Sequence, residues 1–101
     1  KYNEKVTMDD SELYKFLNKY NWEIIENQIY KKFIFQNFSK ATKFYNLIAD
    51  EADKKNHHPK VISSYNKLEV FLTTHDEEEI TYKDIELGIT ISNLFNNNYD
   101  E

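Results

Sequence analysis

Cysteine and arginine are both missing from this chain, and its 101 residues include only one glycine and one proline. The lack of cysteine excludes disulfide bonds, thiolate metal ligands and a cysteine nucleophile. The lack of arginine removes the planar, forked donor that suits phosphate and guanine, and the formal net charge is −5. We therefore expect that the chain does not bind nucleic acid directly.

Long apolar runs are missing as well. No stretch approaches the roughly 20 residues that a membrane-spanning helix requires, and no signal peptide opens the chain. We expect no membrane association and a reducing compartment, with a cytoplasmic location first and a nuclear one as the alternative. The length is typical of one domain, which would span residues 1–101.

Three segments show the apolar periodicity of amphipathic helices, and they are residues 9–18, 39–55 and 82–95. Ser39 is suited to cap the second helix. Thr81 precedes the third helix and Asp84 follows three residues later, a pair that forms a capping box. The second helix must end before Pro59, because a proline disfavours helical geometry in the residue that precedes it.

The third helix is apolar around much of its circumference, at Ile85, Leu87, Ile89, Ile91, Leu94 and Phe95. A helix that is apolar beyond about 100° of arc usually buries a second side. Gly88 would let another helix approach closely. We therefore expect self-association through this helix.

Two segments with strand character lie between the first two helices, at residues 22–26 and 29–35. The later stretch VISSYNKLEVFLTT is interpreted as a hairpin, with Asn66 and Lys67 as its two-residue loop, because asparagine tolerates the positive φ of such turns. The element order α-β-β-α-β-β-α predicts an α+β fold, with a four-stranded antiparallel sheet and three helices on one face.

The three histidines are predicted to meet. When the hairpin register is continued to its open end, His58 lies opposite His75. His57 is adjacent, and Asp53 precedes it by one helical turn, within reach of its ring. Three imidazoles and a carboxylate would then converge where a helix end meets two strand ends.

Two kinds of chemistry are open to this cluster. Three histidines, or two of them with Asp53, could ligate zinc or iron. However, His57 and His58 are neighbours in extended chain and would point to opposite faces, so they would chelate one ion poorly. Imidazole titrates near pH ~6.5, so one ring can be protonated while another is neutral. Acid–base chemistry is therefore favoured over a metal site, and an exposed pair without a role is the remaining alternative.

The stretch ADKKNHHPKVISSYNKLEVFLTTHD resembles the signature of the pterin-4a-carbinolamine dehydratases. The shared features are an acidic residue before a His-His-Pro run, an aromatic residue, a histidine after two threonines and an aspartate opening the last helix. In this chain they are Asp53, His57, His58, Pro59, Tyr65, His75 and Asp84. Trp22 and the segment FIFQNFSKATKF also correspond to the family pattern.

The resemblance implies an α+β fold with the same element order and dimers that pair into tetramers. It implies the dehydration of 4a-hydroxytetrahydrobiopterin to quinonoid dihydrobiopterin, in recycling the pterin of the aromatic amino acid hydroxylases. No metal or organic cofactor is implied. Some animal members also bind a homeodomain transcription factor, so a dimerisation cofactor is the alternative function.

The resemblance also assigns roles to individual residues. The catalytic residues would be His57, His58 and His75. The residues along the pterin would be Asp53, His57, His58, Pro59, Thr74, His75, Asp76 and Glu77. Trp22 would close one side of the pocket, although a core position at a strand start is an equally open interpretation. The capping box explains Asp84 sufficiently, so we assign it a structural role.

Three departures from the family pattern concern the rim of the pocket. Asn21 stands where glycine is common, and Val61 occupies a position that is often aromatic. The segment HDEEEIT is unusually acidic. These differences bear on the preferred substituent of the pterin and not on the reaction centre.

Overall fold

The computed structural model describes residues 9–99, and its element order α-β-β-α-β-β-α confirms the predicted one. The helices are α1 (Asp10–Tyr20), α2 (Phe38–Lys55) and α3 (Tyr82–Asn98). The strands are β1 (Glu23–Ile25), β2 (Gln28–Ile34), β3 (Lys60–Ser64) and β4 (Lys67–Leu72). None of the helices within residues 9–99 is long and apolar enough to cross a membrane.

The four strands form one antiparallel sheet in the order β1-β2-β4-β3, and the three helices cover one of its faces. On the covered face, Ile29 pairs with Leu72 and Phe33 pairs with Leu68, and all four are buried. The predicted α+β fold is therefore confirmed. The alternation of strand side chains builds the core on this face only.

The predicted register of the second hairpin is wrong by two residues. Ser64 pairs with Lys67, so the loop is Tyr65 and Asn66. Tyr65 takes the positive φ of 51°, and Asn66 is tied to the end of β2. The Asn66 side chain donates to the carbonyl of Phe35, and the N–H of Phe35 donates to the carbonyl of Asn66, each at 2.8 Å. This contact from another strand overrides the local turn preference, and the even shift leaves the two strand faces unchanged.

Two helix caps differ from the predicted ones, and α3 also runs on to Asn98 instead of ending at residue 95. Asn37, and not Ser39, caps α2, because its side chain accepts from the N–H of Lys40 at 2.9 Å. At the other difference, α1 runs on to Tyr20 and ends at Asn21, which has the left-handed φ of 62°. Glycine and asparagine both tolerate that conformation, so asparagine satisfies the requirement at this position.

The capping box of α3 is present as predicted. The Thr81 side chain accepts from the backbone N–H of Asp84, and the Asp84 side chain accepts from the backbone N–H of Thr81. Gly88, however, serves a contact within the chain. A Cβ on Gly88 would lie 2.7 Å from Cζ of Phe16, so the missing side chain lets α1 approach α3. Gly88 therefore lets another helix approach closely, as expected, but that helix is α1 of the same chain, so Gly88 gives no support to self-association.

Candidate active site

The end of α2 directs the histidine pair toward the start of α3. Asn56 ends the helix with a left-handed φ of 51°, and the N–H of His57 returns to the carbonyl of Ala52 at 3.0 Å. This reversal places the following residues over the loop that leaves β4. A cleft of about 250 Å³ lies there, lined by Asn56, His57, His58, Thr74, His75, Asp76 and Lys83.

The loop between β4 and α3 supplies the third histidine. Thr74 forms an isolated bridge with Glu79, and its N–H donates to the carbonyl of Glu79 at 3.0 Å. Glu78 has a positive φ of 54° and donates its N–H to the carbonyl of His75 at 3.2 Å. These bonds close a tight turn that holds His75 at the exposed rim of the cleft.

A largely buried contact between an imidazole and a carboxylate holds the ring of His57. Its Nε2 lies 2.6 Å from Oδ1 of Asp84, and the side chains are 10% and 0% exposed. The predicted pairing of His57 with Asp53 is therefore wrong, since the chain reversal at Asn56 turns the ring away from α2. The two partners are 27 residues apart in sequence.

His58 makes the other imidazole–carboxylate contact. Its Nε2 lies 2.9 Å from Oδ1 of Asp53, and the two side chains are 58% and 78% exposed. The predicted ladder contact between His58 and His75 is not formed, because the pairing of β3 with β4 ends at Lys60 and Phe71. The two histidines nevertheless line the same cleft.

Four of the residues expected at the pterin site, Asp53 among them, do not line this cleft. Trp22 is 4% exposed in the core, where its Nε1 donates to Oγ of Ser92 at 2.8 Å. Pro59 lines a neighbouring groove of about 150 Å³ between α2 and β3, together with Asp53 and His58. Glu77 lies in the turn beside His75 but does not line the cleft. Trp22 is thus placed for packing, in line with the alternative interpretation of that residue.

Asp84 is the residue whose contact with a histidine the sequence interpretation missed. Its Oδ2 accepts from the N–H of Thr81, which is the capping contact, and its Oδ1 is left for His57. Two features of the sequence could have predicted this contact. Asp84 belongs to the family signature, and a capping box leaves one carboxylate oxygen without a hydrogen bond. Asn56 and Lys83 also line the cleft, and no pattern in the sequence singles them out.

The arrangement suits proton transfer better than metal binding. Within residues 9–99, no three His, Asp or Glu side chains are placed to share one ion. The cleft instead presents three imidazoles beside hydroxyl, carboxylate and amine groups. Among these groups, imidazole is the kind that can both donate and accept a proton near neutral pH.

An antiparallel sheet with helices on one face and a histidine-lined cleft at the helix ends defines the class of this molecule as a small α+β protein. The comparison with known proteins gives the family. Residues 6–94 match the model described as pterin 4 alpha carbinolamine dehydratase, and the chain belongs to this family.

Individual relatives cover almost the same part of the chain. A Picosynechococcus protein named after this dehydratase is 38% identical over 88 residues, which are 86% of this chain and 96% of that protein. A Sulfurisphaera tokodaii protein named in the same way is 42% identical over 88 residues, or 86% and 95%. The crystal structure of a transcriptional coactivator/pterin dehydratase from Brucella melitensis is 30% identical, with a TM-score of 0.79 and coverage of 86% and 96%.

Proposed function

We propose that the chain dehydrates 4a-hydroxytetrahydrobiopterin to quinonoid dihydrobiopterin and water, as a step in tetrahydrobiopterin recycling. The observation that carries this proposal is the meeting of three histidines at one cleft in a chain of this family. The alignments with the relatives include the segments that form the cleft, since they cover 86% of the chain. The reaction loses water without net electron transfer, so the proposal includes no redox cofactor.

The reaction moves two protons, one away from a ring nitrogen and one onto the departing hydroxyl. A base takes a proton from a ring nitrogen, the freed electron pair forms a C=N bond to C4a, and the C4a–O bond breaks. Hydroxide is a poor leaving group, so an acid protonates it to water. Each transfer assisted by a placed imidazole is worth about 10²–10⁴ in rate. In this scheme His57 and His58 share the transfers, while His75 holds the 4a-oxygen.

The pterin is proposed to lie along the cleft between the segments 57–59 and 74–77. Thr74, His75 and Asp76 line one part of the cleft, and the two neighbouring histidines line another. Asp53 acts from the rim through His58. Trp22 has no direct contact in this scheme, because its ring is buried with Phe16 and Phe33.

A coupled assay tests the proposal directly. The 4a-hydroxytetrahydropterin is generated freshly in the presence of the purified chain, and its decay is followed by absorbance against the uncatalysed rate. We expect acceleration with a rate that changes between pH 5 and 9, because imidazole titrates near pH ~6.5. A decay equal to the uncatalysed rate would contradict dehydratase function, and a flat pH profile would contradict imidazole catalysis.

A second function is favoured by one comparison, because the Brucella melitensis relative is named a transcriptional coactivator as well as a pterin dehydratase. The alternative is that this chain stabilises the dimer of a transcription factor, with or without catalysis. A homeodomain dimer mixed with the chain should then sediment as a mixed complex, and the His57→Ala variant should form it equally. Separate sedimentation of the two proteins would contradict this alternative.

Self-association is proposed as well, as a dimer or a pair of dimers. Large apolar side chains stay exposed on the helices, and they are Tyr14, Phe38, Tyr45 and Tyr82. Exposed apolar surface of this kind is commonly covered by association. Sedimentation equilibrium at micromolar concentration should give two or four times the chain mass of 12.2 kDa. A single species at the mass of one chain would contradict the proposal.

A further inference from the structure

We infer that Asp84 is a positioning residue that fixes the tautomer of His57 and leaves its Nδ1 as the nitrogen that exchanges protons with the substrate. The kinetic part of this inference rests on the proposed dehydratase function, and the tautomer part does not. The observation behind it is that Oδ2 of Asp84 already accepts two hydrogen bonds, while Oδ1 contacts the His57 ring.

The first oxygen of Asp84 is occupied by two donors. The backbone N–H of Thr81 donates to Oδ2 at 2.9 Å, and the hydroxyl of Thr74 donates to the same atom at 2.9 Å. The Thr74 hydroxyl has one proton and donates it to Asp84. The Thr81 hydroxyl is therefore the donor in the 2.6 Å contact between the two threonines. All three side chains are buried, so this chain of hydrogen bonds is shielded from water.

The second oxygen of Asp84 therefore sets the state of the His57 ring. Oδ1 lies 2.6 Å from Nε2, and a carboxylate can only accept, so Nε2 carries the proton. In a neutral imidazole the other nitrogen, Nδ1, is then an acceptor. Within residues 9–99, the ring of His57 makes no hydrogen bond besides the one at Nε2, and His57 is one of the residues that line the cleft. The free lone pair is thus available to a bound molecule.

The pair formed by His58 and Asp53 lacks this constraint. Both of its side chains are more than half exposed, and the Asp53 carboxylate makes no other hydrogen bond or ion pair within residues 9–99. Exposed pairs of this kind are weak and are easily exchanged for water. The two neighbouring histidines are therefore unequal, with one ring locked and the other free to turn.

The fixed tautomer of His57 determines which nitrogen receives the substrate proton. Nδ1 of His57 takes the proton from the substrate ring nitrogen as the C=N bond forms, and the ring becomes an imidazolium with protons on both nitrogens. Asp84 balances that charge through Nε2 without moving, because its other oxygen is held by Thr74 and Thr81. The proton leaves Nδ1 to solvent after the product has gone, which restores the starting state.

The variant Asp84→Asn distinguishes positioning from simple packing. The donors from Thr74 and Thr81 require the amide oxygen at the place of Oδ2, so the amide NH₂ must face His57. Nε2 would then have to accept, and the proton would move to Nδ1. A reversed tautomer of this kind lowers the turnover of a catalytic histidine even when the fold is kept.

Nitrogen NMR of the imidazole rings measures this directly, above the pH at which the rings are neutral and without substrate. The His57 signals are identified by their loss in His57→Gln. In the parent we expect a proton on Nε2 and a bare Nδ1, and in Asp84→Asn the reverse. Asp53→Asn should leave the His57 tautomer unchanged. A parent ring with its proton on Nδ1 would overturn the inference even if Asp84→Asn failed to fold.

The kinetic arm uses the same variants. Asp84→Asn should lower kcat about 10–10²-fold with a smaller effect on KM, because the substrate still reaches the cleft. Asp50→Asn makes the same chemical change on an exposed part of α2 and should keep both parent constants. A reversed tautomer at the parent kcat would overturn the role of Nδ1. If the tautomers are as expected but the parent has no dehydratase activity, the positioning role of Asp84 is supported and the proposed function is contradicted.

Discussion

Replacing His57 by alanine is expected to lower kcat about 10²–10³-fold, because the variant loses the imidazole that transfers the substrate proton. The same change leaves Oδ1 of the buried Asp84 without its partner. We expect the free energy of unfolding to fall by about 1–3 kcal/mol, as for other buried polar groups deprived of a hydrogen bond. The coupled assay measures the first effect and urea denaturation the second.

The variant His57→Gln separates the two effects. Its side-chain amide can donate to Asp84 but cannot exchange a proton as imidazole does. It should therefore restore most of the lost stability and none of the lost turnover. His75→Ala should act mainly on KM, since its proposed role is a hydrogen bond to the 4a-oxygen. A double variant of His57 and His75 that turned over at the parent rate would rule out histidine catalysis.

Replacing Phe44 by alanine is expected to destabilise the fold by about 3–5 kcal/mol, which is typical for a large side chain removed from a closed core. Phe44 is fully buried at the centre of α2. Its ring centroid lies 5.4–5.7 Å from those of four other rings, Phe33, Phe35, Phe95 and Tyr99. These rings belong to β2, α3 and the segments next to them, so the loss would loosen the contact between α2, the sheet and α3.

Phe38→Ala is the matched control, since it removes the same side chain from the same helix at a position that is 54% exposed. Its effect should stay within about 0.5 kcal/mol, as for most surface substitutions, when unfolding is measured at a concentration at which the chain sediments as a monomer. Denaturant unfolding of the two variants under one condition gives both values. If Phe44→Ala cost no more than Phe38→Ala, the ring cluster would not be the main support of the core.

The elements of the fold could be predicted because their signals are local. The spacing of apolar residues indicated α1, α2 and α3, and alternation indicated the strands. The capping box at Thr81 and Asp84 was also visible in the sequence, because it involves residues three apart. Errors arose where a distant group competes with the local preference. Asn66 bonds Phe35 on another strand, and this moved the hairpin loop.

The candidate site divides in the same way. The sequence by itself determined which residue types are available and that a helix ends before Pro59. The prediction that the three histidines meet rested on a hairpin register that is wrong by two residues, although all three do line one cleft. The sequence could not determine which carboxylate holds which ring. Only the tertiary structure decided that Asp84 holds His57 and Asp53 holds His58. The reason is that the chain direction at Asn56 and the burial of Asp84 depend on packing between α2, the β4–α3 loop and α3, which no local pattern records.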